Sequence, residues 1–215
     1  MKKWILMCMV FALSFSEIQD MPEPYCSIKV LPFDGQGFLA PENKNHFKEM
    51  ILSRDIHVVI ELGSWIGSST CWMAQFLPSD GKVYAVDHWL GDRCIDAVPE
   101  ARAKYPRLYQ QFLSNVIHKN LAHKIVPIRM KTTEAAKALN VKADLIYIDA
   151  SHDEVSVFKD IIDWLPKLKE NGIMCGDDWH RNFPGVVKAV ERAAKLFNLT
   201  IHHDGQFWWY EPKRN

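Results

Sequence analysis

From about residue 46 onward, short apolar runs alternate with longer stretches whose apolar positions recur every three or four residues. His57-Val-Val-Ile-Glu-Leu62 reads as a strand, Gly63–Gly67 as a loop and Ser68–Leu77 as a helix. Ser68 or Ser69 is placed to cap that helix, and Pro78-Ser-Asp-Gly81 ends it. Lys82–Asp87 is a second strand. After a stretch rich in charge and aromatics, Ile125–Ile128 is a third, with Pro127 placing it at a sheet edge. Asp144–Asp149 and Gly172–Gly176 are two more, separated by Val155, Phe158, Ile161, Ile162 and Leu165 at helical spacing. Pro184 and Gly185 open a helix with Val186, Val190, Ala193 and Phe197 along one side. Leu199–His202 and Phe207–Tyr210 form a closing hairpin about Asp204-Gly205. Strands that are apolar almost throughout, alternating with helices, predict an α/β fold: a doubly wound, mostly parallel seven-stranded sheet with a C-terminal antiparallel hairpin.

The 215 residues suit a single domain, expected over 46–215, after an irregular lead-in over 17–45 rich in Pro and Gly. With 26 basic against 26 acidic side chains, the chain lacks the positive excess of a protein that neutralises phosphates, so no nucleic-acid partner is expected. No apolar run approaches the ~20 residues of a spanning helix. The N-terminus differs in kind: Lys2 and Lys3, an apolar stretch over 4–15, then small residues at Ser14 and Ser16 make residues 1–16 resemble a secretory signal. That pattern predicts export or membrane anchoring. The alternatives are an ordinary N-terminal extension, or a start at Met21 and a cytoplasmic enzyme. None of Cys8, Cys26, Cys71, Cys94 and Cys175 forms a C-x-x-C pair, and Cys71 and Cys175 are expected as buried thiols.

In such a sheet ligands bind beyond the carboxyl ends of the strands. The first strand ends in Glu61-Leu-Gly63-Ser-Trp-Ile-Gly67-Ser-Ser-Thr70, a G-x-x-x-G loop before a helix N-terminus. The spacing is not the G-x-G-x-x-G of a dinucleotide site, a P-loop or a G-x-S-x-G nucleophile elbow. The second strand ends in Asp87, an acid placed to accept both hydroxyls of a ribose. Loop and acid on adjacent strands predict a nucleoside ligand. Trp89, Tyr105, Tyr109 and Phe112 follow in a segment that would line an acceptor site or simply pack.

Glu61-x-Gly63-x-x-x-Gly67-x-Ser69 followed by Ala85-Val-Asp87 resembles motifs I and II of class I S-adenosylmethionine-dependent methyltransferases. Asp144–His152, then Asp160–Leu168, then Asn171–Trp179 resemble methyltransferase family 24, which is similar to macrocin and novobiocin sugar O-methyltransferases and, remotely, to catechol O-methyltransferases. The resemblance implies S-adenosylmethionine as cofactor, with Glu61, Gly63, Ser64, Trp65, Gly67, Ser68, Ser69, Asp87, His88 and Asp149 around it. It also implies a small hydroxyl-bearing acceptor such as a sugar or phenol.

Asp149, Asp177 and Asp178 all end neighbouring strands, and carboxylates brought together repel unless a cation or proton intervenes. Oxygen ligation suits Mg²⁺, and the three positions match the metal ligands of the sugar enzymes. His152 stands where the catechol-type enzymes carry a catalytic lysine; its imidazole suits proton abstraction near neutral pH. The sugar enzymes instead have an acid at the position of Ser151, so the base stays open. The expected activity is Mg-assisted O-methylation. A hydroxylase-like member of the same branch and a non-catalytic nucleoside-binding protein are the alternatives.

Overall fold

A computed structural model describes residues 18–91 and 98–212. The signal-like segment 1–16, Cys8 and Cys94 lie outside the described residues. The chain runs α1 (Pro41–Ser53), β1 (Val58–Leu62), α2 (Ser68–Phe76), β2 (Lys82–Asp87), α3 (Pro99–Arg102), α4 (Leu108–His118), β3 (Ile125–Arg129), α5 (Thr132–Ala138), β4 (Ala143–Ile148), α6 (Glu154–Trp164), β5 (Leu168–Gly176), α7 (Pro184–Phe197), β6 (Leu199–Asp204) and β7 (Phe207–Pro212). Among the described residues no helix is long and apolar enough to cross a membrane.

The seven strands lie in the order β3-β2-β1-β4-β5-β7-β6. Pairs from β3 through β5 are parallel, and β7 joins β5 and β6 antiparallel. Chain order reverses between β1 and β4, so the switch point where ligands bind falls at their carboxyl ends. β3 has β2 as its one neighbour, so the missing N–H of Pro127 costs no ladder bond on the open side.

Successive strand residues feed two cores on opposite faces. Val59, Val83, Ala85, Leu145, Tyr147 and Cys175 pack with α1, α2 and α4. Ile60, Leu62, Val86, Ile146, Ile148 and Met174 pack with α5, α6 and α7. Both faces are dry, which is why the strands read as continuous apolar runs. Cys71 and Cys175 are buried free thiols, as expected.

Several boundaries differ from the sequence reading. The lead-in ends at residue 40, where Pro41 starts α1 from the first helical position. Residues 28–40 form an extended strap held by α4: Leu31 N–H donates to Ser114 Oγ (2.9 Å), Asp34 N–H to Asn115 Oδ1 (3.0 Å), and Asn115 Nδ2 back to the Asp34 carbonyl (2.9 Å). α4 and α5 were not anticipated. β5 begins at Leu168, and Asp204 pairs with Phe207, which moves the hairpin turn to Gly205-Gln206. Neither Ser68 nor Ser69 caps α2; its N-cap is Gly67 in the left-handed region.

Candidate active site

Beyond the carboxyl ends of β1, β2, β4 and β5 lies a cavity of about 560 Å³. Its wall is built by the strap at Gly37–Ala40, the glycine loop, Asp87, His88, the segment Met130–Thr133, one face of α6, and the ends of β4 and β5.

The glycine loop is fixed from below and from the side. Gly63 has φ +89°, and a Cβ there would stand 1.9 Å from the Asp149 carbonyl oxygen, so the residue is dictated by contact between the β1 and β4 ends. Gly37 presses so close to α2 that a Cβ would come within 2.5 Å of Ser68 Cβ. Glu61 points inward beneath the loop, fully buried, and accepts hydroxyl hydrogens from Ser64 (2.8 Å), Ser69 (2.5 Å) and Thr70. Burial pushes its carboxyl up to about 7 against the lowering effect of these donors. Glu61 therefore braces the loop from below, and the cavity wall is formed by its neighbours Gly63, Ser64 and Trp65. Gly67 is also buried and off the cavity wall.

Asp87 does line the cavity, and its carboxylate is already engaged. Oδ2 accepts the backbone N–H groups of Ser64 (3.1 Å) and Trp65 (2.9 Å), and Oδ1 accepts that of Trp89 (2.7 Å). Burial raises its pKa, opposed by these three bonds and by His88. Of roughly four lone-pair directions on a carboxylate, about one remains for a ligand. Trp65 is held with φ +46°, a strained value for so bulky a side chain, and its carbonyl accepts the Trp89 indole N–H (2.7 Å). Trp89 and Phe112 are buried, so the packing reading of that aromatic segment applies to them.

At the other end, His152 Nε2 lies 2.7 Å from Asp178 Oδ2, and the ring stacks on Phe183 with centroids 4.8 Å apart. Asp149, His152 and Asp178 each present a ligand atom within 4.8 Å of the others. Asp178 occupies the left-handed region with φ +64°, which aspartate tolerates better than most residues. The expected third carboxylate is turned elsewhere: Asp177 Oδ2 accepts from Asn43 Nδ2 on α1 (2.8 Å), and its Oδ1 from the Asp178 N–H (2.9 Å). Asp177 also lines the cavity, and the cluster with Asp149 and Asp178 is completed by His152. Asp149 also accepts from the buried Tyr147 hydroxyl (3.1 Å). Burial, then the charges of Asp177 and Asp178, lift Asp149 well above the ordinary carboxylate range. Asn43 and Tyr147 escaped the sequence reading, one inside the supposed lead-in and the other inside a strand interior.

Among the described residues no Lys or Arg pairs with Asp149, Asp177 or Asp178. The donor set therefore fits a divalent cation: Mg²⁺ takes one or two protein carboxylates and keeps waters in its remaining positions. Asp149 and Asp178 are the two that could supply them.

A parallel sheet with this strand order, a glycine loop after β1 and an acid ending β2 define the class I S-adenosylmethionine-dependent methyltransferases. Residues 60–179 match the methyltransferase domain of family 24, more than half of the chain, and the protein belongs to that family. No curated protein sequence matches the chain. Among solved structures, it is similar to an O-methyltransferase from Bacillus cereus in complex with SAH (16% identity, TM-score 0.61, 80% of this chain and 81% of that one). A putative O-methyltransferase from Klebsiella pneumoniae is similar over 82% of both chains (16% identity, TM-score 0.64). TomG, the O-methyltransferase of tomaymycin synthesis from Streptomyces achromogenes, determined with SAM, is similar over 80% of both chains (14% identity, TM-score 0.61). At these identities the likeness is one of fold.

Proposed function

We propose that the protein transfers the sulfonium methyl of S-adenosylmethionine to a hydroxyl oxygen of a small acceptor. The observation that carries this reading is one cavity with Asp87 and the glycine loop at one side and the His152–Asp178 pair with Asp149 at the other. The ribose takes the remaining acceptor position of Asp87, beside His88, instead of both oxygens. Ser64, Trp65, Ser68, Ser69 and Asp149 complete the cofactor contacts. The resemblance to O-methyltransferases, one of them holding SAH, supports oxygen as the methylated atom.

His152 takes the proton of the acceptor hydroxyl on the ring nitrogen that Asp178 does not hold, and Asp178, 2.7 Å from Nε2, stabilises the imidazolium that results. Asp149 and Asp178 would hold a divalent cation, which supplies positive charge that acidifies the acceptor hydroxyl. The strap and the loop wall one side of the cavity, where they would hold donor and acceptor in line. The test is transfer of labelled methyl from S-adenosylmethionine to a panel of catechol, phenol and sugar hydroxyls alongside amine and carbon acceptors, with and without EDTA. Methyl ethers formed by the wild type and lost in EDTA are expected. Label on nitrogen or carbon acceptors alone would overturn the oxygen reading, and full turnover in EDTA the role of the cation.

A further inference from the structure

The cavity continues past Asp87 to the far end of the sheet, and the side chains there have no part in the proposed chemistry. Met130, Lys131, Thr132 and Thr133 follow β3, the neighbour of β2, and the Met130 N–H donates to the Asp87 carbonyl (3.1 Å). Adjacent strands lie ~4.8 Å apart, so this end stands about one strand spacing beyond the carboxylate assigned to the ribose. Val155, Lys159 and Asp160 of α6 face it across the cavity. Met130 is 41% and Val155 74% exposed, unusual for large apolar side chains that line a cavity. A flat heterocycle against them would remove both from water. Between these walls stands Asp160, 3% exposed and hydrogen-bonded to Thr132. A carboxylate has about four lone-pair directions, so Asp160 retains room for a further donor beside Thr132.

We infer that Asp160 reads the base of the cofactor, accepting a hydrogen of the adenine 6-amino group and so selecting adenine over a 6-oxo purine. The inference rests on the cofactor reading above and extends it to a residue outside the motifs of the glycine loop and ribose acid. A carboxylate accepts from an amine and repels a carbonyl oxygen, so exchanging one for the other inverts the contact. Asp160 is a specificity residue here and takes no part in methyl transfer.

The experiment is a calorimetric comparison of S-adenosylhomocysteine with two analogues, one carrying hypoxanthine and one carrying 6-dimethylaminopurine, on the full-length protein. The wild type is expected to bind S-adenosylhomocysteine about tenfold to a hundredfold more tightly than either analogue, the range of a hydrogen bond to a charged group. Asp160→Asn, whose amide both donates and accepts, is expected to bring the hypoxanthine ratio to within about threefold. If Asp160→Asn lowers affinity for all three ligands equally, the residue merely docks α6 on Thr132 and the inference falls. Should the variant fail to fold, the dimethylamino analogue on the wild type decides, since equal affinity for it would equally overturn the inference. A wild type that binds none of the three overturns the cofactor reading itself, and this inference with it.

Discussion

Replacing Glu61 by glutamine takes a titrating group out of the support of the glycine loop while keeping its shape. Glu61 is fully buried, and burial lifts its pKa from 4.5 to about 7. The folded protein then holds this proton more tightly than the unfolded chain does. The stabilisation that results is complete below about pH 4.5 and is lost as pH rises through about 7. The interval from 4.5 to about 7 corresponds to about 3 kcal/mol, a large part of the stability of an ordinary domain. The amide introduced by Glu61→Gln does not titrate, and it still accepts from two of the three hydroxyls while donating to the third. Urea unfolding of both proteins between about pH 5 and about pH 8 checks this, because other raised carboxyls such as Asp160 and Asp149 cancel in the difference. The wild type is expected to lose about 2–3 kcal/mol more than Glu61→Gln over that range. Parallel stability curves would refute the account of Glu61 as a buried, proton-binding brace.

Asp87→Ala leaves the amides of Ser64, Trp65 and Trp89 without their acceptor, so it is expected to cost about 2–4 kcal/mol of stability even without cofactor, read as a lowered urea midpoint. It also weakens S-adenosylhomocysteine binding, measured by calorimetry. Gly63→Ala drives a methyl group to 1.9 Å from the Asp149 carbonyl, and circular dichroism melts should show a loss of at least about 3 kcal/mol. His152→Gln lowers turnover by roughly 10²–10⁴ with S-adenosylhomocysteine affinity nearly intact, read by steady-state assay beside calorimetry. Asp178→Asn abolishes binding of Mg²⁺ or Mn²⁺ by calorimetry, whereas Asp177→Asn, turned toward Asn43, weakens it far less.

The sheet was readable along the chain because its strands are covered on both faces, and Pro127 even marked which of them lies at an edge. The two helices it missed differ in kind. α5 buries only Ala135 and Ala136, too little apolar area to leave a periodic signal. α4 buries Leu108, Phe112, Leu113, Val116 and Ile117, so its apolar face is present in the sequence, inside the stretch rich in charge and aromatics; only the bonds of Ser114 and Asn115 to a strap some eighty residues away were out of reach. The candidate site was legible to the level of strand ends and no further. Glu61 pairs with Ala85, so Glu61 and Asp87 point to the same face of the sheet and differ in depth: Asp87, two residues nearer the carboxyl end, reaches the cavity while Glu61 lies buried under the loop. Asp177 and Asp178 lie beyond the end of β5, where the left-handed backbone of Asp178 is invisible in the sequence: Asp178 meets His152, and Asp177 accepts from Asn43. Asn43 became visible as a partner of Asp177 once α1 was folded against the sheet.

Whether the cavity holds this cofactor is tested most directly by calorimetric titration of the purified protein with S-adenosylhomocysteine, in the presence of Mg²⁺. One-to-one binding in the wild type, sharply weakened by Asp87→Ala and retained by His152→Gln, is the predicted result. No binding by a folded wild type would contradict the assignment of the cavity as a methyl-donor site.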